Sequence, residues 1–208
     1  MAHIPAKADI EKQAEFLENE LKPRIEEAKQ GKRQLFFIDA SHFVLAAFLG
    51  YLWSFERIFI KSPSGRQRYN VLGAFNAVTH DLTTVTNDAY INAKSIIELM
   101  CKLIEKYGTK PITLVMDNAR YQRCGAVIEF AKIKNIELLF LPSYSPNLNL
   151  IERLWKFVKK KCLYCKYYEK FSCFKTAIDE CLYNTDKNYK NEICSLMTLK
   201  FQVLKNAS

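Results

Sequence analysis

The 208-residue chain lacks any uninterrupted apolar run of the ~18 residues that a membrane helix needs, and its opening, MAHIPAKADIEKQAEF, lacks a secretory signal's apolar stretch. These absences exclude a membrane partner and point to a cytoplasmic protein. No repeat or low-complexity tract is present, which excludes a solenoid. Histidine is scarce, three residues with no pair at ligand spacing, so an imidazole metal site has little to build on. Acid is missing from two whole segments. Residues 57 to 80 carry Arg57, Lys61, Arg66 and Arg68 without one, and residues 153 to 161 carry Arg153, Lys156, Lys159, Lys160 and Lys161 without one. With a net charge of +9, that distribution favours a polyanionic partner such as nucleic acid, and hence association with the nucleoid. Seven cysteines, an odd number, argue against a disulfide framework. Cys162 and Cys165 have C-x-x-C spacing, followed by Cys173 and Cys181, but no histidine lies near, and free thiols are expected rather than zinc.

About half of the chain is apolar, enough for one compact domain with a small appendage. Residues 8 to 30 read as a charged linker or docking helix whose apolar stripe breaks at Pro23. Leu35-Phe36-Phe37-Ile38 reads as a strand buried on both faces and ending at Asp39. From 43 to 87 the runs FVLAAFLGYLW, RIFI, YNVLGAFNAVT and LTTVTN suggest an antiparallel meander. Ile96, Ile97, Met100, Leu103 and Ile104 then recur at helical spacing until Gly108 and Pro111. A second buried strand, residues 112 to 116, ends at Asp117; a helix over 120 to 134, a strand over 136 to 141 and helices over 148 to 162, 171 to 184 and 191 to 205 follow. The order implies an α/β fold, a mixed sheet covered on both faces. The expected division is a linker region 1–30, a catalytic domain 31–186 and a C-terminal helical tail 187–208.

If the strands ending at Asp39 and Asp117 are parallel neighbours, their carboxylates gather at one sheet edge, where crowding is costly unless a cation or proton intervenes. Alone, either aspartate is equally a turn cap. Glu152 flanks the apolar stripe Ile151, Leu154, Trp155, Val158 and Cys162, and it also suits a helix's first turn. Three acids without a histidine pair favour oxygen ligation, hence Mg²⁺ or Mn²⁺. Two such ions ~4 Å apart support phosphodiester displacement, with the surrounding Lys and Arg holding the phosphate backbone. Asn118 and Arg120 are candidates for orienting a metal-bound water and a phosphate. Pro142, Ser143, Tyr144 and Pro146 shape the loop before Glu152, and Asn149 suits a helix cap. His42 and His80 read as surface or core residues, and Trp53 and Trp155 as packing.

FIDASH around Asp39, VMDNAR around Asp117 and LPSYSPNLNLIERLW around Glu152 together resemble a DDE transposase. The 34 residues between Asp117 and Glu152 are similar to the spacing in the bacterial insertion-sequence branch of the mariner superfamily. The resemblance implies a ribonuclease-H-like five-stranded mixed sheet with helices on both faces. It puts Asp39 on the first strand, Asp117 after the fourth and Glu152 on the helix after the fifth, with two Mg²⁺ or Mn²⁺ ions between them. It further implies hydrolysis at transposon ends and transfer of the freed 3′-hydroxyl into target DNA, commonly at TA. The implied partners are double-stranded DNA, a second copy on that DNA, and a separately encoded helix-turn-helix half. On this footing Arg66, Arg68, Asn118, Arg120, Arg153, Lys156, Lys159 and Lys160 are the candidate DNA contacts. Two alternatives are a catalytically silent truncated transposase that binds DNA or dimerises as a regulator, and a structure-selective endonuclease on the same fold.

Overall fold

The computed structural model describes residues 8–45, 55–56, 59 and 67–201. The first helical stretch runs α1 (Ile10–Phe16), a π turn (Leu17–Leu21) and α2 (Lys22–Lys29). Pro23 falls in the first turn of α2, where its missing N–H costs little, so the stripe continues past it where the sequence suggested a break. Five strands follow as β1 (Gln34–Val44), β2 (Arg68–Asn76), β3 (Leu82–Asn87), β4 (Ile112–Met116) and β5 (Ile136–Phe140). They form one sheet in the order β3-β2-β1-β4-β5. β1 pairs antiparallel with β2 and β2 with β3, whereas β1–β4 and β4–β5 are parallel. The remaining helices are α3 (Ala93–Tyr107), α4 (Gly125–Ile133), α5 (Ile151–Cys162), α6 (Phe171–Tyr183) and α7 (Lys190–Leu196). The expected mixed five-stranded α/β fold is present.

The alternation of β1 explains its unbroken apolar text. Leu35, Phe37 and Phe43 enter one core with α2, α5 and α6, while Phe36 and Ile38 enter a second core with α3 and α4. Both faces are covered, so every residue of the run is buried, each large side chain contributing about 1.5–3 kcal/mol. The N-terminal helices belong to the first core through Leu17, Leu21 and Ile25. They are also pinned to β5 by Arg24, which donates to Glu137 Oε1 at 2.9 Å; Thr113 Oγ1 of β4 donates to Glu137 Oε2 at 2.7 Å, and Arg33, between α2 and β1, to the same Oε2.

Further elements differ from the sequence reading. β1 does not stop at Asp39. Its pairing with β4 ends at Ile38↔Met116, but its pairing with β2 continues to Val44↔Arg68, so Asp39 stands where one neighbour leaves and the other remains. The helix expected over 120 to 134 begins at Gly125, because Ala119 O accepts from Gln122 and Arg123 in a preceding turn. The helix expected over 191 to 205 ends at Leu196, and residues 202 to 205 of that span lie outside the described residues. At that helix end the Arg153 guanidinium takes the carbonyls of Leu196, Thr198 and Lys200, which draws the following chain along α5. Of the four runs expected in the meander, FVLAAFLGYLW is described only at Phe43, Val44 and Leu45, the first two of them on β1, and RIFI only at Phe59; Arg66 and Trp53 lie outside the described residues.

Candidate active site

Three elements deliver one carboxylate each to a pocket of about 340 Å³. Asp39 comes from β1, Asp117 from the residue after β4, and Glu152 from the first turn of α5. The parallel register that pairs Ile38 with Met116 makes Asp39 and Asp117 the next residues along adjacent strands. The remaining wall is the loop Leu141–Pro146, with Asn118, Ala119 and Asn149.

That loop is held from two sides. Asn118 Nδ2 donates to Leu141 O at 2.6 Å, tying the chain after β4 to the chain after β5. Gln13, fully buried on α1, donates from Nε2 to Tyr144 O at 3.4 Å and accepts from Asn147 Nδ2 at 3.0 Å. Tyr144 sits at φ 59°, a left-handed conformation uncommon for a bulky residue and so a sign of a constrained turn. Asn149 does not cap α5 with its side chain as expected. Its Nδ2 donates instead to Ile38 O at 3.4 Å, while its backbone carbonyl accepts from Glu152 N at 3.3 Å. Asn149 Oδ1 is buried with no donor among the described residues.

Glu152 reaches the pocket because α5 lies close on the sheet. At Gly73, which pairs with Asp39 across β1–β2, a Cβ would stand 2.8 Å from the Trp155 ring and 3.0 Å from Ile151 Cδ1. Only glycine leaves that room. Trp155, read from the sequence as packing, also donates from Nε1 to Asp39 Oδ2 at 3.0 Å. A buried indole N–H needs an acceptor, and Trp155 lies three residues after Glu152 on the same side of its helix; that was the available signal.

The electrostatics are one-sided. No Lys, Arg or His lines the pocket among the described residues. Burial, then the neighbouring Glu152 carboxylate, and also Asp117, push the Asp39 carboxyl up to about 7. A carboxyl so placed is stabilised by a cation, and an all-oxygen donor set suits a hard divalent ion. Burial, then the Asp117 and Asp39 carboxylates, push the Tyr121 hydroxyl up to about 12, which keeps it protonated. Among the described residues no three His, Cys, Asp or Glu side chains form a ready metal cage, so the carboxylates share the pocket as separate arms.

The candidate DNA contacts divide by what already holds them. Arg68, Arg120, Lys156 and Lys160 are exposed. Lys159 is half-buried with its ammonium 5.9 Å from the Phe43 ring centre, and Arg153 is taken up by the C-terminal carbonyls. Asn118 spends its amide on the Leu141 carbonyl, which fits a residue that holds the turn after β4 rather than one that orients a metal-bound water. His42 hydrogen-bonds Asn70 Oδ1 at 2.6 Å and His80 stacks on Phe75, both away from the pocket lining. All seven cysteines are free, and none lines the pocket. Among the described residues no helix is long and apolar enough to cross a membrane.

Residues 34–175, more than half of the chain, match the family described as DDE superfamily endonuclease. No curated protein matches. Among solved structures, the chain is similar to the Mos1 transposase paired-end complex with left transposon end, at 14% identity and a TM-score of 0.66, covering 97% of this chain and 67% of that one. The Mos1 mariner paired end complex with Mn gives 13% identity, a TM-score of 0.67 and the same coverage. The Mos1 transposase catalytic domain with Raltegravir and Mn gives 13% identity and a TM-score of 0.61, covering 97% of this chain and all of that one. At these identities the likeness establishes the ribonuclease-H-like fold.

Proposed function

Because the chain belongs to the DDE superfamily of endonucleases, we propose that it is the catalytic domain of a DNA transposase, which hydrolyses phosphodiester bonds at transposon ends and joins the freed 3′-hydroxyl to target DNA. The observation that carries this reading is the pocket itself, which Asp39, Asp117 and Glu152 line together without a single neutralising cation from the protein among the described residues.

Asp39, Asp117 and Glu152 would hold Mg²⁺ or Mn²⁺, two ions in the expected arrangement. When bound, such ions activate a water or sugar hydroxyl and stabilise the leaving oxygen of an in-line displacement. The protein's own contribution is positional. The β1–β4 register fixes two carboxylates relative to each other, Gly73 lets α5 bring the third within reach, and the Gln13 and Asn118 tethers hold the loop around them. Asp39, desolvated by burial and crowded by the Glu152 and Asp117 carboxylates, gains from a cation. Lys156 and Lys160, on the outer face of the helix that carries Glu152, would contact phosphates, and Arg68 and Arg120 would extend the footprint.

Asp117→Asn and Glu152→Gln are each expected to abolish Mg²⁺- or Mn²⁺-dependent cleavage of DNA bearing the element's ends while leaving DNA binding in place. Undiminished cleavage by either variant would remove the assignment. Cleavage of ordinary DNA without joined products would instead mark a structure-selective endonuclease, and binding without any cleavage by the unmodified chain a silent regulator.

A further inference from the structure

Trp155 is only 2% exposed, and its indole is fixed from three directions. The outer ring edge, Cη2 and Cζ2, rests where a Cβ of Gly73 would be 2.8 and 3.0 Å away. Phe43, four residues after Asp39 on β1, meets the indole edge-on with centroids 6.3 Å apart and planes at 82°. The Nε1–H donates to Asp39 Oδ2 at 3.0 Å. Packing alone would be met by any large apolar side chain. Gly73, however, faces Asp39 directly across the β1–β2 ladder. The bare backbone that admits the indole thus also sets its N–H beside this carboxylate.

A carboxylate on a short side chain turns about its last torsion unless something holds one oxygen. Resting on the reading of Asp39 as a metal ligand, we propose that Trp155 is a positioning residue for Asp39, its indole N–H holding Oδ2 so that the carboxylate is oriented for a divalent cation before the cation arrives. Outer partners of ligating carboxylates act in this way, and their loss typically weakens metal binding by about 10–100-fold.

The test measures Mn²⁺ binding to the full chain from the electron paramagnetic resonance signal of free Mn²⁺. It compares the unmodified protein with Asp39→Asn and Trp155→Phe; the phenylalanine keeps an aromatic ring but has no N–H. Trp155→Phe is expected to raise the Mn²⁺ dissociation constant about 10–100-fold. It should lower kcat for DNA cleavage at limiting Mn²⁺ without changing KM for DNA, and saturating Mn²⁺ should restore the rate. A purely packing role would leave the Mn²⁺ affinity unchanged, and that result overturns the inference. A second measurement leaves Trp155 in place: in a Trp53→Phe background its fluorescence should change on Mn²⁺ addition with the same dissociation constant and stay constant in Asp39→Asn. Emission indifferent to Mn²⁺ also overturns the inference. If the unmodified chain binds no Mn²⁺, or Asp39→Asn binds it equally well, the metal-site reading itself fails and the positioning role with it.

Discussion

Gly73→Ala tests the close approach of α5 to the sheet. The added Cβ would lie 2.8 Å from Trp155 Cη2, 3.0 Å from Trp155 Cζ2 and 3.0 Å from Ile151 Cδ1. The ring has nowhere to retreat, since it is 2% exposed and its N–H is bonded to Asp39. Overpacking of this kind costs about 1–3 kcal/mol. With no room for the ring to retreat, the overpacking lies in the upper part of that range, about 2–3 kcal/mol; alanine in place of a strand glycine returns about 0.5–1 kcal/mol of backbone entropy, which leaves a net loss of about 1–2.5 kcal/mol. For a chain of this size that is a fall of roughly 2–10 °C in melting temperature, measurable by circular dichroism. The penalty should also depend on the indole. Trp155→Phe removes the two ring carbons that meet the new methyl, so Gly73→Ala should cost at least about 0.5 kcal/mol less in that background. A neutral or stabilising Gly73→Ala, or strict additivity with Trp155→Phe, would refute the argument that Gly73 sets the seating of the helix.

Three further perturbations probe other parts of the structure. Burial works to raise the Glu137 carboxyl, but Arg24, Thr113 and Arg33 outweigh it and hold it at about 2. A depressed carboxylate stabilises the fold above its unfolded pKa of about 4.3 and loses that contribution as the pH falls toward 2. Discounted for partial exposure, Glu137→Gln should cost about 1–2 kcal/mol in urea denaturation at pH 7, and the difference should vanish near pH 2. Asp39 has the opposite sign. Its carboxyl, raised to about 7, loses stability for the metal-free protein as the pH rises from about 4 through 7. Asp39→Asn in EDTA should therefore be more stable than the unmodified chain by about 1–3 kcal/mol at pH 8 and indistinguishable at pH 4, as thermal melts will show. Replacing Lys156 and Lys160 together with alanine should reduce the slope of log K against log salt by about 1.5–2 in DNA-binding titrations; an unchanged slope would remove both from the phosphate contacts.

The sequence and the structure agree most closely where periodicity is strong. The doubly buried run at 35 to 38, the helix through Ile96 and Leu103, and the stripe of α5 each carry a pattern that only one kind of element satisfies. The pocket was legible as three acids, each placed after or beside an apolar run, because sheet-edge chemistry follows from strand order. What could not be read depends on contacts between distant segments. Asp39 looked like a strand end because the polar text begins there, but pairing with β2 carries β1 on to Val44. Asn149 has the composition of a cap, yet its amide is drawn to the Ile38 carbonyl 111 residues away. Nothing in the text of the charged 8 to 30 segment marks Gln13, and only the fold brings it against Tyr144 and Asn147. Arg153 sat within a run of cations and gave no sign that the end of the chain would claim it.

Anomalous scattering from crystals of the full chain soaked in Mn²⁺ tests most directly whether Asp39, Asp117 and Glu152 form a metal centre. Two Mn²⁺ peaks are expected in the pocket, held by these three carboxylates. A saturated soak that leaves the pocket without a peak, or puts Mn²⁺ elsewhere while the three acids stay unliganded, would contradict the assignment.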